Sequence, residues 1–212
     1  MKLIYFDFNF WRVDILRLCL SYSNISYKYE RVPRQDWQKK KQSFPFGQLP
    51  VLIYDNNIYA HTHSLAIFCA QQANLYDNDK QKILIINQVL DWANDITIKI
   101  APSIRAAMRE KNYEKSKRLR KEFIKNDLLV WFSYLEQLLK RSSSENKFFT
   151  DKFSIADIIA WRVIYWFTSR KLDHIDPNFL KELPKLKNYY QNLMSFESLN
   201  NLREFKEITK AD

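Results

Sequence analysis

At 212 residues the chain can form one large domain or two small ones, and its 46% apolar and 16% aromatic residues can supply a sizeable core. A single glycine excludes glycine-rich phosphate loops, and with them dinucleotide-binding and P-loop chemistry. The net charge of +10 is spread along the chain with one concentration over residues 109–125, which lacks interleaved aromatics; it reads as a solvated helix end, and nucleic acid is not an expected partner.

The most apolar run, residues 155–167, contains Asp157 and Arg162 and falls short of the ~20 residues a membrane span needs. The opening MKLIYFDFNF has no apolar core or cleavage site of a signal peptide, so a soluble cytoplasmic protein with no membrane contact is expected. Cys19 and Cys69 lie in apolar helical patterns and read as reduced, buried thiols.

In chain order, residues 2–6 read as a short buried strand and 12–23 as a helix with a broad apolar face. Residues 26–31 read as a second strand and 34–42 as a polar helix or turn. Residues 51–54 and 58–61 read as a hairpin closed at 55–57, where Asn tolerates the left-handed backbone. A helix follows over 64–72, with Ser64 as its N-cap. Strand and helix alternate in the order of a thioredoxin-like domain, a mixed four-stranded sheet with helices on both faces. A polar linker over residues 75–80 separates it, as residues 1–74, from an all-helical domain over 81–212. There the pattern predicts long helices over 81–104 and 113–141, a loop over 141–147, a central buried helix over 154–170, and shorter helices over 178–183 and 186–194. Pro102, Pro177 and Pro184 stand at the expected breaks.

Three local signals carry chemistry or its scaffold. Phe46-Gly47-Gln48-Leu49-Pro50-Val51-Leu52 puts a proline at a strand mouth. A cis Leu49–Pro50 bond would turn the Leu49 backbone outward to pair with an extended ligand, and an ordinary strand-entry proline is the equal alternative. His63-Ser64-Leu65-Ala66-Ile67 opens a helix whose first N–H groups could meet a carboxylate, although a plain cap is commoner. Ser154 with Asp157 three positions on forms a capping box, a structural pair. His61 and His63 alternate on a predicted strand; with no third ligand in reach, no metal is expected.

In this order and spacing the three signals resemble the cytosolic glutathione transferases. KLIYF, RVDILR, YKYERV and DW in residues 1–75 look sigma-like, close to the invertebrate sigma enzymes and haematopoietic prostaglandin D synthase. The resemblance covers nearly the whole chain and implies the fold just described, glutathione as cosubstrate and a homodimer. It places Tyr5 as the catalytic hydroxyl that stabilises the glutathione thiolate; by residue type alone Tyr5 is a core tyrosine. It places Arg12, Trp37, Lys41, Gln48, Leu49, Pro50, His63, Ser64 and Asp95 against glutathione, with Asp95 reaching the neighbouring subunit. It also expects a pocket for a small hydrophobic electrophile, lined by Phe8, Phe10, Trp11, Pro102, Arg105 and Met108. Two departures stand out: Trp11 takes a position where the family commonly has glycine, and His63 one where it usually has glutamine. The implied function is conjugation of glutathione to electrophiles, a detoxification chemistry. The alternative is a non-catalytic transferase-like module that carries a hydrophobic ligand such as haem or joins a protein assembly.

Overall fold

The computed structural model describes residues 1–142, 144, 145 and 147–210. The chain divides into two compact units, Met1–Asp79 with Phe196–Asp212, and Lys80–Ser195.

The first unit runs β1 (Lys2–Phe6), α1 (Trp11–Tyr22), β2 (Lys28–Val32), a short α2 (Trp37–Lys40) flanked by 3-10 turns, β3 (Val51–Tyr54), β4 (Asn57–Ala60) and α3 (Thr62–Gln72). Its sheet has the order β2-β1-β3-β4. β1 runs parallel to β2, with Tyr5 opposite Arg31, and antiparallel to β3, with Ile4 opposite Val51. This is the mixed sheet that the sequence order predicts. α1 places Val13, Ile15, Leu16, Leu18, Cys19 and Leu20 out of solvent and packs against α3. The β3–β4 turn holds Asp55 at φ 48° and Asn56 at φ 59°, and the Asn57 side-chain amide donates to the Asp55 carbonyl at 2.8 Å. Asx residues tolerate this left-handed geometry, which is how a hairpin forms without glycine.

The second unit contains α4 (Lys80–Met108), α5 (Tyr113–Phe123), α6 (Leu129–Lys140), α7 (Ile155–Thr168) and α8 (Pro184–Ser195). Two expectations are corrected here. α4 does not break at Pro102 but continues to Met108. Just beyond the proline, Ser116 donates to the Ser103 carbonyl (2.8 Å) and Arg120 Nε donates to the Ser103 hydroxyl (2.8 Å), tying this part of α4 to α5. The helix expected over 113–141 is interrupted by a π-helical turn at Ile124–Leu128. Within the expected loop 141–147, residues 143 and 146 lie outside the described residues.

Every residue of α7 from Ile155 to Phe167 is buried, as a helix apolar on all sides requires. Its N-terminus is tied by Asp157, which is fully buried. One carboxylate oxygen accepts from Ser154 N–H (2.8 Å) and the Ser154 hydroxyl (3.1 Å). The other accepts from Phe149 N–H (3.0 Å) and the Tyr189 hydroxyl (2.8 Å).

The chain then returns to the first unit through α9 (Glu197–Asn200) and α10 (Arg203–Lys210), which pack on α1. The expected domain over 81–212 therefore gives up its last segment to the sheet unit. The tie is ionic: Glu207 of α10 accepts from Arg17 of α1 and from Arg31 of β2, each at 2.6 Å.

Candidate functional site

Tyr5 sits in β1 at 3% exposure, in one core cluster with Ile4, Val13, Val32, Leu49 and Val51. Aromatic residues fix its ring: Phe6 and Phe8 meet it edge-on, with centroids 5.3 Å and 5.7 Å away. Trp37 joins the cluster edge-on to Phe6 at 4.8 Å and stacks on Phe44. Tyr5, Leu49 and Trp37, 44 residues apart at their extremes in sequence, are thus brought together by β1, the stretch leading into β3, and α2. Arg12, the second residue of α1, lies near enough to Tyr5 for their charges to interact. Burial holds its guanidinium below the usual value, and Tyr5 pulls the other way.

The loop after β1 is sorted by α1. Trp11 has no exposed surface, because it is the first residue of that helix and faces the core; the Arg12 guanidinium lies 4.8 Å from its ring centroid. Trp11 therefore presents no surface to solvent. Phe10 is half-buried, and Phe8 is 49% exposed, leaving Phe8 as the aromatic that this loop offers to solvent.

The single glycine has two local reasons. Gly47 has φ +54°, and a Cβ there would stand 3.0 Å from Lys41 Cε and 3.3 Å from Lys41 Cγ, so the lysine stem lies across the space that a side chain would fill. Gly47→Ala is expected to lose about 1–2 kcal/mol of stability from the left-handed backbone and to displace the Lys41 stem. Denaturant unfolding of the variant checks this, and a change within error of zero refutes it. Phe46, before it, also has positive φ (56°) and is 72% exposed, with its ring 4.3 Å from that of His61, itself at φ 70°. Two strained non-glycine residues in contact mark a place where the surrounding structure overrides backbone preference, as happens at ligand sites.

The stretch 46–50 continues into Gln48, exposed and extended, then into Leu49 at 9% exposure and a cis Leu49–Pro50 peptide bond. The expected cap of α3 is corrected. The helix starts at Thr62, and His61 takes the N-cap position, so Ser64 lies in the first turn rather than before it. The positive φ of His61 turns the chain two residues earlier than the sequence suggests. His61 and His63 are accordingly not strand neighbours. His63 is half-buried and Ser64 exposed, both within the first turn, where backbone N–H groups lack intrahelical acceptors. Among the described residues, no cluster of His, Cys, Asp and Glu has the arrangement of a metal site.

The remaining candidates belong to the second unit. Asp95, Pro102, Arg105 and Met108 are all exposed on α4. Pro102, Arg105 and Met108 recur every three residues, with Ile98 (59% exposed) one turn before, and so form a partly apolar stripe.

Sequence reading missed one polar cluster. Arg17, 3% exposed, stacks on Tyr29 with its guanidinium carbon 4.5 Å from the ring centroid, and Arg31 approaches the same ring at 5.3 Å. Burial alone would pull Arg17 down, but Glu207, Tyr27 and Asp14 together hold it above its ordinary value. Arg31 also donates to Asn9 (3.0 Å), and Tyr27 donates to Glu204 (2.8 Å). The only local signal was an Asp14–Arg17 pair at helical spacing inside an otherwise apolar helix.

Comparison with known proteins bears on both units. Residues 99–207 match the family described as Glutathione S-transferase, C-terminal domain. A glutathione S-transferase of Anopheles gambiae is 35% identical over 86 residues, 41% of this chain and 42% of that protein, so this match spans less than half of the relative's length. The hematopoietic prostaglandin D synthase of Gallus gallus is 27% identical over 166 residues, 78% of this chain and 75% of that protein. The crystal structure of Na-GST-3, a monomeric glutathione S-transferase of Necator americanus, superposes with a TM-score of 0.76 at 23% identity, covering 99% of this chain and 96% of that one. That likeness speaks to the fold: a small mixed-sheet unit followed by a helical one.

Proposed function

We propose, from the premise that this chain belongs to the glutathione S-transferase family, that it binds glutathione on its first unit and transfers the thiolate to small hydrophobic electrophiles. One observation carries the reading. Tyr5 shares a core cluster with Leu49 and Trp37, Arg12 stands within electrostatic range of it, and the Lys41 stem crosses Gly47 at the edge of the same loop.

On this reading the Leu49 backbone pairs with the cysteinyl part of glutathione, as an added strand does. Trp37 and Lys41 meet its glycine carboxylate, and the first turn of α3 at His63 and Ser64 receives the γ-glutamyl end. Gln48, Pro50 and Arg12 shape and charge the surroundings, and Asp95 of a second copy reaches the γ-glutamyl amine. The thiol loses its proton to solvent and the Tyr5 hydroxyl donates to the resulting thiolate. The sulfur lone pair then forms a bond to the electrophilic carbon as the leaving group departs. Phe8 and Phe10, and separately the α4 stripe of Pro102, Arg105 and Met108, supply apolar surface for the electrophile. We assign the enzyme to a sigma-like class on the motifs of residues 1–75 and expect a cytoplasmic homodimer. Two buried, unbonded cysteines agree with a reducing compartment, and no helix among the described residues is long and apolar enough to cross a membrane.

Calorimetric titration with glutathione tests the reading. Wild type is expected to bind with a Kd between micromolar and low millimolar. His63→Gln is expected to tighten binding several-fold, because an amide donates and accepts with a longer reach than neutral imidazole. Absence of glutathione binding in the wild type would overturn the proposal.

A further inference from the structure

The first unit holds a cavity of about 570 Å³ between α1, β2 and α10, lined among others by Arg17, Tyr29, Arg31, Arg203, Glu204 and Glu207. None of the residues placed above against glutathione lines it. Its size falls in the range of small-molecule sites.

The cavity contains unmet hydrogen-bonding demand. Arg17 is 97% out of solvent by its 3% exposure, and one of its nitrogens is committed to Glu207. Its Nε and Nη1 have no hydrogen-bond acceptor among the described residues, and the Tyr29 hydroxyl, also buried, has no hydrogen-bond partner. The Asp14 carboxylate forms an ion pair with Nη1 at 3.6 Å, longer than a hydrogen bond. Buried donors in a native protein are nearly always paired, so Arg17 Nε and the Tyr29 hydroxyl call for an acceptor at hydrogen-bond distance, which the described residues do not supply. Three arginines face Glu204 and Glu207 on the lining, and Asp14 paired with Arg17 and Asp7 paired with Arg31 offset the remaining positive charge. An anion is therefore held by the arginine and hydroxyl donors rather than by net charge, and the two glutamates would repel a dianion more strongly than a monoanion. Tyr27, Tyr29 and Ile25 add ring and aliphatic surface for an organic body.

We propose that this cavity is a second ligand site, which takes a small organic monocarboxylate whose oxygens accept from Arg17 and from the Tyr29 hydroxyl. Glu207 is the organising residue. By holding Arg17 and Arg31 from α10 it fixes both guanidiniums against the Tyr29 ring, and it exists at that place because the C-terminal segment folds back onto the sheet unit.

The test is calorimetry on the full chain with benzoate as probe, benzamide as its neutral isostere and inorganic phosphate as the dianion. Benzoate is expected to bind saturably at one site per chain, more tightly than either control, with saturating glutathione present or absent. Tyr29→Phe keeps the ring and removes only the hydroxyl, and is expected to weaken benzoate by about tenfold, the effect of losing one hydrogen bond to a charged group. If that variant does not fold by circular dichroism, Arg203→Gln, an exposed position, takes its place and is expected to weaken benzoate about threefold, the effect of an exposed charge. The proposal is overturned by absent or unsaturable benzoate binding, by benzamide or phosphate binding as tightly, by displacement of benzoate by glutathione, or by unchanged affinity in the deciding variant. Because glutathione binding is measured separately on the same protein, failure here leaves the transferase reading standing, and the reverse holds equally.

Discussion

Replacing Asp157 with alanine is expected to remove about 3–5 kcal/mol of unfolding free energy, several times the ~1 kcal/mol that loss of a helix cap costs. The difference lies in what the carboxylate holds. Besides Ser154, which begins α7, it accepts from Phe149 in the preceding loop and from Tyr189 on α8, and it is fully buried. Alanine leaves these donors inside the protein with no acceptor, at about 1–3 kcal/mol for each one left unsatisfied. Asp157→Asn, of equal size, keeps one carbonyl oxygen but turns an N–H₂ toward donors at the other position, so an intermediate loss is expected. The pH dependence separates the two. Burial pushes the Asp157 carboxyl up to about 6, and the donors from Ser154, Tyr189 and Phe149 pull it back. A folded value above the unfolded one means that the folded state holds the proton more tightly between about pH 4 and 6. The group's contribution to stability is therefore greatest below the unfolded value and falls as pH rises through that window. Asp157→Asn should flatten this slope. Denaturant unfolding at pH 4, 5, 6 and 7 reads both effects; a loss near 1 kcal/mol in the alanine variant at pH 7 would show that only the cap matters.

How far the sequence reaches is plain from particular residues. The strand and helix order of the first unit was legible because polar turns punctuate its apolar runs, and because Asp55 and Asn56 are residue types that accept left-handed backbone. Boundaries moved where backbone geometry overrode side-chain preference. Ser64 is the better cap by type, yet α3 starts at Thr62 because His61 makes the turn; Pro102 signals a break, yet α4 passes through it, with Ser103 beside it bonded to Ser116 and Arg120 of α5. The candidate site was readable only as an ordered set of phrases. The contact that explains its one glycine, Lys41 lying across Gly47, depends on a turn in which Phe46 also takes positive φ, and nothing in residue type predicts that of phenylalanine. The Arg17–Glu207 pair was out of reach altogether: 190 positions separate the partners, and no local period encodes a contact of that range.

Tyr5→Phe is expected to lower kcat/KM for conjugation of glutathione to 1-chloro-2,4-dinitrobenzene by about 10²-fold at pH 6.5, the scale on which removal of one hydrogen-bond donor to a developing anion is felt. The fold tolerates this change. Phenylalanine keeps the ring that Phe6 and Phe8 contact edge-on and that shares its cluster with Leu49 and Val51, so stability is expected to change by less than about 1 kcal/mol. Glutathione affinity is expected to stay within about threefold, because in the proposed pose the hydroxyl touches only sulfur while the carboxylates and backbone of the tripeptide are held elsewhere. The pH profile carries the mechanism. Without the donor, the bound thiol returns toward its ordinary pKa of ~8.5, so the rate deficit narrows as pH rises above 8 and the thiolate forms unaided. A deficit equal at all pH values would assign Tyr5 a role in shaping the site rather than in holding the thiolate. Unchanged turnover at pH 6.5 would remove it from the chemistry, leaving Arg12, whose guanidinium interacts with the same position, as the group to substitute next.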